Sequence, residues 1–115
     1  MTVNDRKRID KYIKRYILAP YRIRVLEARQ DYDLAIKGKC SKKSIDEINS
    51  LYDYIEKIES IINSDDLKKI EIFRLDNNTV LEEYNMSKHK AWNYRKRIRN
   101  KILEAIKAGE LLELK

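Results

Sequence analysis

The chain has 115 residues, 39% charged and 43% hydrophobic, with two Gly, one Pro, one Cys, one His and a formal net charge of +7. That length fits one compact domain with a modest core, and few turn formers beside much Lys, Glu, Ile and Leu predict an all-α protein. With no long apolar run and a charged N-terminal stretch, neither a bilayer span nor a signal peptide is expected, and Cys40 and His89 are too few for an internal disulfide or a zinc site.

In chain order, a first helix is predicted over residues 4–18, where Ile9, Tyr12, Ile13, Tyr16 and Ile17 make one apolar stripe. Arg6, Lys7, Arg8, Lys11, Lys14 and Arg15 cover much of the remaining surface. Pro20 is expected to end this helix, or to open the next one at a first-turn position. A second helix is then expected from about Pro20 to Lys37, with Val25, Leu26, Tyr32, Leu34 and Ile36 at less regular spacing and Gly38 as its stop.

The loop KGKCSKKS, residues 37–44, leads to Ser44 and Glu47, read as the capping box of a third helix running to about Asn63. Within it Ile48, Leu51, Ile55, Ile58 and Ile62 alternate spacings of three and four. This seam of about two heptads is short for a coiled coil, so its expected use is packing inside a bundle, with a homodimer contact as the weaker alternative. Residues 1–63 are therefore expected to form an N-terminal helical bundle, with dimerisation as its weaker second use, and residues 64–115 a helix-turn-helix region, the two making one compact unit.

In that second region Ser64 is expected to cap a short helix carrying Leu67, Ile70 and Phe73. The stretch LDNN, residues 75–78, breaks it. Thr79 and Glu82 are read as a capping box opening another short helix with Val80, Leu81 and Tyr84. Asn85, Met86 and Ser87 form a tight turn, and Ser87 caps a long helix that reaches about Ala108, with Gly109 as its stop. The tail ELLELK, residues 110–115, is expected either to pack back on the bundle or to bind a partner. Short helix, tight turn, longer basic helix is the outline of a helix-turn-helix unit.

Charge is unevenly spread. Residues 1–30 carry +6 and residues 87–115 carry +6, while 31–60 and 61–86 are mildly acidic. Basic ends are the electrostatic footprint of a polyanion partner. On the last helix, Ala91, Tyr94, Ile98 and Ile102 share one face, extended by Leu103, Ala105 and Ile106. The opposite face carries Lys88, His89, Trp92, Asn93, Lys96 and Arg97, which suits the first two turns of a helix entering a major groove. Lys90, Arg95, Arg99 and Lys101 lie around the sides, where phosphates would be met. Asn93 suits adenine, and Lys or Arg suits guanine. His89 is expected to be an exposed hydrogen-bonding side chain. Trp92 lies about 100° from Ala91, and is expected to lean on the N-terminal helices as a secondary anchor, with contact to a base as the other reading.

The segment from Ile58 to Ile106 resembles the C-terminal half of phage late-gene transcription regulators of the RinA and ArpU type. These share a helix-turn-helix similar to the fourth region of bacterial sigma factors. The matching features are a pre-helix ending near Phe73, the pair Met86-Ser87, and a long basic helix with apolar positions at Tyr94, Ile98 and Ile102. The resemblance covers under half the chain. It implies a DNA-binding activator of phage late or packaging genes in the cytoplasm of a bacterial host cell. Double-stranded DNA and RNA polymerase would be its partners, with Lys88, His89, Trp92 and Asn93 facing the groove. Two other readings compete: a helical module that captures a host or viral protein, and a DNA-packaging recognition subunit. An enzyme is not expected, for the chain has no Gly-rich phosphate loop, metal cluster or nucleophile with an evident base. No cofactor and no membrane contact are expected either.

Overall fold

The computed structural model describes residues 1–111, all helical or in turns, with no strand among them. The order is α1 (Val3–Lys37), α2 (Lys42–Ile61), α3 (Ser64–Leu67), a 3-10 turn (Ile70–Arg74), α4 (Asn77–Tyr84) and α5 (Lys88–Lys107). No described helix is long and apolar enough to cross a membrane.

The expected break at Pro20 does not occur: α1 runs unbroken for 35 residues with Pro20 inside it. The proline leaves the Tyr16 carbonyl without its helical donor, a defect of about 3 kcal/mol. Packing outweighs it. Ala19, Ile23 and Leu26, on either side of the proline, are buried against Ile48 and Leu51 of α2, and each large aliphatic side chain so buried contributes roughly 1.5–3 kcal/mol. Pro20 itself faces outward. The helix opens with a capping box between Thr2 and Asp5 and closes at Gly38, whose left-handed φ of 73° lets its N–H reach the Leu34 carbonyl.

α2 returns antiparallel along α1. Contacts run from Gln30–Ser44 near the loop, through Arg22–Glu47, to Tyr16–Glu59 at the other end. The seam residues Ile48, Leu51, Ile58 and Ile62 are buried inside the protein, so the bundle accounts for the α2 heptads. Three expected caps move. Ser41, not Ser44, caps α2; Asn63, not Ser64, caps α3; Asp76, not Thr79, caps α4. The sequences SKKS and DNNT each offer a capping side chain at both ends. The earlier one wins because it adds a turn and receives the later residue's N–H: Ser44 to Ser41 at 3.2 Å and Thr79 to Asp76 at 2.7 Å.

One core joins the two halves of the chain. Ile9, Tyr12, Ile13 and Ile17 of α1 meet Ile58 and Ile62, then Ile70, Ile72, Val80, and Ala91, Tyr94, Ile98, Ile102 and Ala105 of α5. Residues 1–63 and 64–111 therefore do not have separate interiors. Of the apolar residues read on the short helix before the turn, Val80 is fully buried and Leu81 is exposed. Gly109 ends the last helix as expected, at φ 75°. Its N–H reaches the Ile106 carbonyl and that of Glu110 reaches Ala105, a paired closure of the helix end. Leu111 then tucks into the core, so the start of the tail packs back. Residues 112–115 lie outside the described residues.

Candidate nucleic-acid interface

The site is built on α5, and the way α5 is held decides which of its cations face outward. Its apolar stripe is sunk completely: Ala91, Ile98 and Ile102 expose nothing, and Tyr94 almost nothing. Tyr94 donates its hydroxyl to the Asp66 carbonyl at 2.6 Å, and burial pushes its phenol pKa above the ordinary range. Ser87 caps the helix by accepting from the Lys90 N–H, as expected. Asn85, in the left-handed region at φ 52°, makes the sharp exit from α4 that brings the two helices together across a short turn.

Three arginines then fasten the helix. Arg95 donates to the carbonyls of Ile72 and Leu75 at 2.9 and 3.0 Å and to the Asn77 side chain at 3.3 Å. Arg97 meets Asp66 at 2.7 Å, with Lys101 on the other carboxylate oxygen at 3.4 Å. Arg99 forms a fork on both oxygens of Asp10 at 2.8 and 3.1 Å, and only 16% of its side chain is exposed. All three, expected among the phosphate- or base-facing set, have intramolecular partners; Arg95 and Arg99 are partly buried, while Arg97 stays exposed beside Asp66. Spacing along the chain does not signal the two ion pairs, because Asp66 lies 31 residues from Arg97 and Asp10 lies 89 from Arg99.

The other expected site residues are brought together on the outward side. Lys88, His89, Lys90, Trp92, Asn93 and Lys96 are all exposed. Trp92 does not lean on the N-terminal helices. It is 50% exposed, stacked near-parallel on His89 at 6.4 Å, with Lys96 Nζ 4.9 Å from its ring centre. This stacking orders the indole on the surface without burying it. His89 Nε2 lies 3.2 Å from the Asn93 amide nitrogen, which pairs with the ring. The pairing leaves Asn93 one N–H and its carbonyl oxygen, the donor and acceptor that a bidentate adenine contact uses. Asn77 of α4 joins the surface here, lining an open depression of about 370 Å³ with Lys88, His89, Trp92 and Arg95.

Comparison with protein-family models, curated proteins and solved structures finds no match for this chain. What the surface can do follows from its chemistry. Among the described residues Lys88, Lys90 and Lys96 have no carboxylate within ion-pair distance, so their charge is available to an anion. The positive end of the α5 dipole points the same way. An amide, an imidazole and an indole edge stand between those cations. No group of three or more His, Cys, Asp or Glu able to hold a metal occurs among the described residues.

Proposed function

We propose that the protein is a sequence-specific DNA-binding transcription regulator. In this reading α4, the turn at 85–87 and α5 act as a helix-turn-helix, and the first two turns of α5 enter the major groove. Lys88, Lys90 and Lys96 meet phosphates or guanine. Asn93, oriented by His89, reads adenine, and Trp92 offers its edge to a thymine methyl or to the sugar–phosphate rail. The observation that carries the reading is a division of labour on one helix: the arginines secure α5 to the body, while the lysines, Asn93 and Trp92 of its leading half stand exposed. A groove reader needs both a rigid support and an unoccupied polar face.

With the resemblance to the RinA and ArpU type, the reading extends to activation of late or packaging genes of a phage or mobile element, with RNA polymerase as the partner. Selection of bound duplexes from a random pool tests it. A single enriched site is expected, protected from nuclease on its major-groove face. A pool that stays unenriched, or no retention of DNA at low salt, overturns the proposal.

A further inference from the structure

We propose that a second copy of this chain docks antiparallel along the outward face of α1. At 100° per residue, Ala19, Ile23 and Leu26, the residues of α1 buried from position 19 onward, occupy one side of this stretch of helix. Leu18, Tyr21, Val25, Ala28, Tyr32 and Ala35 line the opposite side, and all are exposed. Their spacing is three, four, three, four, three, which is a heptad seam over about 26 Å of helix. Ile36 widens its end. The large side chains here, Leu18, Tyr21, Val25, Tyr32 and Ile36, are each 38% to 66% exposed. Together they present on the order of 500 Å² per copy, so a pair that covered them fully would bury roughly 1,000 Å², the lower bound for a specific interface.

Charge selects both the occupant and its direction. Centred between Val25 and Ala28, an antiparallel pair sets Tyr21 against Tyr32 of the second copy and Leu18 against Ala35. Arg24 then lies beside Asp31 of the second copy, twice by symmetry. Arg22 faces Arg29 in the same arrangement, but Arg22 is already neutralised by Glu47 at 3.0 Å. A parallel pair places Arg24 beside Arg29 instead. It also stacks Lys7, Lys11 and Lys14, which continue the same face toward the N-terminus, directly on their own copies. Like charges so placed oppose that alignment. Lys14 still comes near Lys39 at the rim of the antiparallel pair, and each copy carries +7. The dimer is therefore weak at low salt and strengthens as salt screens the repulsion. This dependence has the opposite sign to DNA binding, and the dimer does not rest on the DNA reading.

Sedimentation equilibrium of the whole protein at rising concentration and salt tests the proposal. A monomer–dimer equilibrium is expected, with Val25→Arg monomeric and Leu34→Arg, exposed but off this seam, unchanged. Helical circular dichroism verifies that both variants fold. Arg24→Asp should weaken association about tenfold, and adding Asp31→Arg should restore it. In a Cys40→Ser background, Val25→Cys mixed with Ala28→Cys should give the mixed disulfide in preference to either symmetric one. A monomer at every concentration, a dimer indifferent to Val25→Arg, or preferred Val25–Val25 cross-linking each overturns it; the first leaves the face to a different protein.

Discussion

Asp66 shows how a single side chain sets the geometry of the candidate site. It is the only buried charged residue among those described, and it takes Arg97 and Lys101 from α5 while its backbone carbonyl takes Tyr94. The hydrogen bond from Arg97 is the main cause that holds its carboxyl below 3.8, its ordinary value. A depressed carboxylate contributes stability that is complete above the unfolded value and is lost as pH falls through the folded one. Asp66→Asn should therefore cost about 1–2 kcal/mol at neutral pH. The variant should also lose less stability than the parent between about pH 5 and pH 2 in urea titrations. At the exposed face the expected changes are functional. Asn93→Ala should relax preference at one base pair by about 1–3 kcal/mol, measured by competition with single-base variants of the selected site, and leave thermal stability unaltered. Arg99→Ala should do the reverse, because its guanidinium is tied to Asp10.

Among the elements, α1 is the most informative. Read as sequence, residues 20–37 have apolar positions without one clear period, since two seams interleave there. Ile23 and Leu26 belong to the core seam, while Val25, Tyr32 and Ile36 belong to the outward one. The helix needs the first seam to pass Pro20 intact. Pro20→Ala should accordingly raise stability by about 1–3 kcal/mol, since it restores a donor to the Tyr16 carbonyl without disturbing a packed face. A loss of stability on chemical denaturation would mean that the proline ring packs in a way its exposure does not suggest. α4 depends on its start in a similar manner. Its cap, Asp76, accepts from Thr79, and that bond holds the Asp76 carboxyl below its ordinary range.

At the scale of the whole molecule, 26 Lys and Arg against 19 Asp and Glu leave a surplus that the fold distributes. The Arg22, Arg97, Arg99 and Lys101 side chains pair with carboxylates, and the lysines of leading α5 have no such partner among the described residues. If DNA is the partner, log affinity should fall linearly with log salt. Replacing Lys88, Lys90 and Lys96 together by Ala should flatten that slope by about 0.9 for each phosphate no longer neutralised. Equal slopes for parent and triple variant would remove these lysines from the interface. The shared core predicts cooperative behaviour as well, with residues 1–63 and 64–111 unfolding in one transition, because Ile9, Tyr12 and Ile13 are buried with Ile98 and Ile102.

The amino-acid order alone determined the all-helical class, the α5 stripe of Ala91, Tyr94, Ile98 and Ile102, the turn at 85–87 with its Ser87 cap, and the stop at Gly109. Each is set by local periodicity or by a backbone conformation that few residues adopt. Tertiary structure decided what depends on partners distant along the chain. It carried α1 through Pro20, committed Arg95, Arg97 and Arg99 to Asn77, Asp66, Asp10 and backbone carbonyls, and kept Trp92 at the surface. Periodicity assigns a residue to a face of its own helix, but only packing determines what that face meets.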